Sequence, residues 1–162
     1  MKTTTAFLTI GALVSLVAIQ TASAQTATQT VTFQVSAINQ IAVTGTPSLV
    51  INAAVAGSAP TSVTSAANSW AVTTNQSTAM ITASIPTAMP AGLTLSANLT
   101  APAGATSLGL TALGVTAVNV VTGITKLNAA GLGLTYELDA TAAAGVVASA
   151  TRVVTYTITG GV

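Results

Sequence analysis

The 162 residues include only three Lys or Arg and two Asp or Glu, no His and no Cys. Beyond residue 24 the charged side chains are Lys126, Arg152, Glu137 and Asp139, which cancel. A nucleic-acid-binding surface and electrostatic recruitment to an anionic membrane are excluded by shortage of cations, and disulfides are excluded outright. Half the residues are hydrophobic (51%), which argues against disorder. Near-zero charge also removes the repulsion that keeps protein surfaces apart.

The N-terminus reads as a secretory signal peptide, residues 1–24. Lys2 supplies the positive start and residues 6–19 the apolar run. Ala22-Ser23-Ala24 is the small-residue cleavage pattern, so the mature chain is expected to begin at Gln25. The run is too short for a spanning helix, which needs roughly 20 residues. The expected location is secreted or at the cell surface, with no membrane insertion after cleavage. Residues 25–162 are expected to form a single domain.

Residues 28–36 alternate strictly. Val31, Phe33 and Val35 fall on one side, Thr30, Thr32 and Gln34 on the other. Period two is the mark of a strand with one buried face. The stretch 37–45 is apolar at Ile38, Ile41 and Val43, and its change of parity predicts a bulge or bend. A turn at Gly45-Thr46-Pro47 leads into a short strand over 48–53 with Leu49 and Ile51. Residues 54–67 are small and polar and read as a loop. Residues 68–75 place Trp70, Val72 and Thr74 on one face, and 78–85 do the same with Ala79, Ile81, Ala83 and Ile85.

After the two-proline loop 86–92, Leu93, Leu95, Ala97 and Leu99 alternate with Thr94, Ser96, Asn98 and Thr100. Strands are expected over 108–113 and 115–121, and a turn region over 123–131. Leu132, Leu134, Tyr136 and Leu138 then alternate with Gly133, Thr135, Glu137 and Asp139. A connection over 141–150, with one helical turn near 140–144, leads to a last strand over 152–159. Thr and Val dominate these segments and favour strands, and no window sustains helical spacing. The chain is predicted to be all-β, an Ig-like antiparallel β-sandwich of about eight strands. Pairing 132–139 with 152–159 so that Tyr136 faces Val154 and Leu134 faces Tyr156 sets apolar against apolar throughout.

Catalytic chemistry has few carriers. Without His or Cys the commonest general base, the thiol nucleophile and the usual zinc ligands are missing. Glu137 and Asp139 share a strand face with Cα atoms about 6.5–7 Å apart. That spacing overlaps a glycosidase pair or half a calcium site, but the ordinary reading is a solvated outer face. Arg152 is expected to pair with one of the two. All four rings beyond residue 24, Phe33, Trp70, Tyr136 and Tyr156, lie on apolar faces and read as core rather than as a sugar-binding platform. The chain is therefore read as not an enzyme, with no cofactor and no metal.

The alternating Thr30–Val35 segment behind the cleavage pattern, together with the terminal Thr155-Tyr156-Thr157-Ile158-Thr159 strand, resembles small secreted bacterial β-sandwich proteins of the surface and fibre type. It is similar in style to fimbrial subunits and spore-coat-U-like proteins. The resemblance implies a segment that completes a neighbour's sandwich. It departs from many pilins in having no cysteine pair and in running on to Gly160-Gly161-Val162. Two functions follow as expectations. One is a self-associating structural subunit of a fibre, pilus, surface layer or biofilm matrix, assembled through Thr30, Val31, Thr32, Phe33, Gln34 and Val35. The other is a monomeric adhesion module for a carbohydrate or cell-envelope partner. The same segment is open to a third role as the first strand of its own sandwich.

Overall fold

The computed structural model describes residues 23–161. The expected signal peptide lies outside them through residue 22, including Ala22 of the cleavage pattern. The chain divides into two units after Gln34, and each is taken by itself.

In the first unit, residues 23–34 form no regular secondary structure, and every one of them is exposed. The predicted strand at 28–36 therefore has no ladder among the described residues. Alternation shows that a segment can bury one face, but a strand also needs a partner backbone. The expectation that Phe33 belongs to a core is overturned: it is 89% exposed.

The second unit is all-β, built as two antiparallel sheets. Ten strands are present among the described residues: β1 (Asn39–Thr44), β2 (Val63–Thr64), β3 (Asn68–Thr74), β4 (Ala79–Ser84), β5 (Leu93–Leu99), β6 (Thr106–Ser107), β7 (Thr111–Ala112), β8 (Val118–Ile124), β9 (Leu127–Ala140) and β10 (Thr155–Thr159). One sheet runs β1-β3-β9-β5-β7, with β2 also paired to β9; the other runs β10-β4-β8-β6. β9 organises the larger sheet. Its first half pairs with β3 from Leu127 to Leu134, and its second half with β5 from Leu134 to Ala140 and with β2 at Glu137 and Leu138.

The alternating patterns bury the faces expected of them. Trp70, Val72 and Thr74 of β3, Ala79, Ile81 and Ala83 of β4, Leu95, Ala97 and Leu99 of β5, and Leu134 and Tyr136 of β9 are all buried. Two irregularities complete the fit. The β4–β8 register shifts on either side of Ile81, and the consecutive Val120 and Val121 are both fully buried, as a bulge that breaks the period allows. The β3–β9 register shifts between Trp70 and Val72. There Ala130 and Gly131 stand opposite the single Ala71, and Gly131 takes φ +68°, a left-handed conformation that costs glycine little.

Three further expectations are corrected. Residues 48–53 form no strand; only an isolated bridge, Ala54 to Pro60, follows them. The turn region at 123–131 shrinks to Thr125 and Lys126, because β9 begins at Leu127. Lys126 turns at φ +41°, and its N–H donates to Gln76 O at 2.9 Å, so the chain leaves β8 in one sheet and enters β9 in the other. Finally, β9 and β10 are not ladder partners. β10 pairs with β4, Tyr156 opposite Ala83 and Ile158 opposite Ile81. The matched parity of the two strands still has meaning, since it brings two apolar faces together across the core rather than along a ladder. The Tyr156 hydroxyl donates to the Tyr136 hydroxyl at 3.0 Å, joining the sheets. Burial raises the pKa of both tyrosines. The hydroxyl contact raises that of Tyr156, the donor, further and opposes the rise at Tyr136.

Candidate functional site

The predicted assembly segment consists of side chains with nothing to bury them. Val31 is 72% and Phe33 89% exposed, and Val35, the first residue of the second unit, is 78% exposed. Thr30, Thr32 and Gln34 are exposed as well. Ladder structure begins only after Ser36 and Ile38. There the Asn75 side chain donates to Ser36 O at 2.7 Å and accepts from Ile38 N–H at 2.8 Å. This clamp secures the entry to β1 and leaves residues 28–35 outside the ladder. Ser23, Ala24 and Gln25, at the expected cleavage point, are exposed.

The acidic pair is half-buried rather than fully solvated. Glu137 and Asp139 lie on β9 opposite Ser96 and Thr94. Thr64 Oγ1 donates to Glu137 Oε2 at 3.3 Å, and Ser62 Oγ donates to Asp139 Oδ1. Hydroxyl groups thus occupy both carboxylates at the β2 edge. Arg152 does not pair with either. Its guanidinium donates to Thr151 O at 2.9 Å and to Ala88 O at 3.3 Å. Its Nε is buried with no acceptor. Lys126 stands at the turn between β8 and β9.

A second feature was not anticipated from sequence. A cleft of about 630 Å³ is lined by residues 49–54 and 147–150, with Met89, Leu93, Leu138 and Arg152 completing it. Two of its linings are backbone that belongs to no ladder: residues 45–53 and 145–154 carry no strand, turn or bend. Within them Val50 is 64%, Val147 41% and Val153 69% exposed, while Leu49 and Ile51 are half-buried. The signal for one lining was present as the alternation at Leu49 and Ile51, which reads as a strand. The other lining falls in the stretch 141–150 read as a connection and carries Val147, while Arg152, Val153 and Val154, expected to open the last strand, precede β10, which begins at Thr155.

No family model, no curated protein and no solved structure matches this chain. Among the described residues no helix is long and apolar enough to cross a membrane.

Proposed function

We propose that the chain is a secreted structural subunit that self-associates through strand pairing to build a fibre, surface layer or matrix. The observation that carries this reading is the exposure of Val31, Phe33 and Val35, at 72%, 89% and 78%. Three large apolar side chains at alternate positions, without charge or proline, lack the devices that protect a strand from pairing with another chain. Exposed apolar surface of this kind marks interaction sites. Backbone hydrogen bonds supply affinity when such a segment adds to a sheet, and alternate side chains in pockets supply specificity. The balanced charge of residues 25–162 offers no electrostatic barrier to this association.

The test is sedimentation velocity on residues 25–162 and on the same protein lacking residues 25–36, each over a wide concentration range. Concentration-dependent polymer from the first, and a folded monomer from the second, is the expected result. A chain of residues 25–162 that stays monomeric at high concentration overturns the reading in favour of an adhesion module. A deleted protein that forms the same polymers removes the role of the segment.

A further inference from the structure

We infer that the cleft between residues 49–54 and 147–150 is the acceptor site for residues 28–36 of a second copy of this chain. The inference rests on the assembly reading above and adds to it the place where the segment goes.

Three observations converge on one occupant. The first is the backbone of the two linings. Outside the bridge at Ala54, residues 48–53 and 146–153 make no ladder hydrogen bonds among the described residues. Backbone N–H and C=O groups are obligatory hydrogen-bonding groups. Two such stretches beside one cleft offer an edge on each side, which is what an added strand uses.

The second is the chemistry of the interior. Leu49, Ile51, Met89, Leu93, Leu138 and Val147 line the cleft, and no acidic side chain does. Arg152 is its single charged member, and its Nε has no acceptor. An entering strand would bring apolar side chains for the lining, and the guanidinium already donates to Thr151 O and Ala88 O. A charged or strongly polar ligand would leave most of that lining unmatched.

The third is the supply. Within this chain, residues 28–36 hold three apolar side chains, Val31, Phe33 and Val35, exposed at period two. Their spacing puts all three on the face that enters, and Thr30, Thr32 and Gln34 on the face that stays outside. Nine residues in a strand reach about 30 Å, more than the span of the four-residue lining 147–150.

The absence of cysteine makes a disulfide test clean. Full-length variants Gln34→Cys, Val50→Cys, Ser149→Cys and Val115→Cys are made singly; Val115 is exposed and does not line the cleft. Gln34→Cys carrying a mass tag is mixed with each of the others and oxidised with copper phenanthroline, and heterodimers are counted by mass spectrometry. The expected result is at least ten-fold more heterodimer with Val50→Cys or Ser149→Cys than with Val115→Cys. Equal yields at all three positions overturn the proposal. So does a double variant, Gln34→Cys with Val50→Cys, that cross-links only within one chain, since the cleft then takes its own segment. Sedimentation of the unaltered chain separates the two levels. Polymer without cleft cross-links refutes the cleft and leaves the assembly reading standing, and no polymer at all refutes both.

Discussion

Truncating Leu134 to Ala tests the inward face of β9, the strand that pairs with three others in its sheet. Leu134 is 1% exposed and sits where β9 passes from pairing with β3 to pairing with β5. The change removes three carbon groups, about 2.4 kcal/mol of transfer free energy at roughly 0.8 kcal/mol per buried group. A residual cavity adds to that, because strands fixed on both sides limit collapse, and the sum falls within the usual range of about 2–5 kcal/mol. With a urea slope of about 1.5 kcal/mol per molar for a small domain, a loss of about 3 kcal/mol lowers the midpoint by about 2 M. Trp70, the single tryptophan and 1% exposed, reports unfolding by fluorescence. The measurement is made at a concentration where sedimentation shows monomer. The paired control is Glu137→Gln, on the outward side of the same strand, expected to cost within about 0.5 kcal/mol. Equal midpoint shifts for the two variants would refute the facing of β9.

The tyrosine pair gives a second prediction. Tyr136→Phe or Tyr156→Phe alone leaves one hydroxyl in the core without its partner, whereas the double variant removes both, so the double change is expected to cost less than the sum of the singles in a urea-based mutant cycle. Stability is also expected to hold up to the ordinary tyrosine range near pH 10 and to fall above it. There the unfolded chain ionises while burial keeps both folded tyrosines protonated, so the unfolded state binds fewer protons. The double Phe variant should flatten that decline, as measured by urea midpoints from pH 8 to 11. Phe33→Asp is expected to leave the urea midpoint within about 0.5 kcal/mol of the parent, because the ring is 89% exposed, while abolishing polymer in sedimentation. Gly92→Ala should destabilise more than Gly57→Ala. Both glycines have positive φ, but only at Gly92 would a Cβ come within 2.7 Å of Ala144 N and 2.8 Å of Thr141 Oγ1. Thermal midpoints compare the two.

The amino-acid sequence alone determined the class of the fold and most of its inward faces. Trp70, Val72 and Thr74, then Ala79, Ile81 and Ala83, then Leu95, Ala97 and Leu99 alternate in the chain and are buried in the protein. Side-chain facing is a local property, since period two follows from the pleat of a single strand. Shortage of charge, with no His and no Cys, was equally legible. Partnership was not, because a ladder is made between segments distant in the chain, and alternation is blind to which backbone lies alongside. The same alternating pattern therefore led to a ladder for Ala79–Ser84 and to none for residues 28–36 or 48–53. It left β9 and β10 looking like ladder partners, when the tertiary structure sets them in opposite sheets with Tyr136 and Tyr156 meeting across the core. The cleft was beyond the reach of sequence for the same reason. It is enclosed by residues 49–54, Met89, Leu138 and residues 147–150, which are brought together only once the sheets have packed.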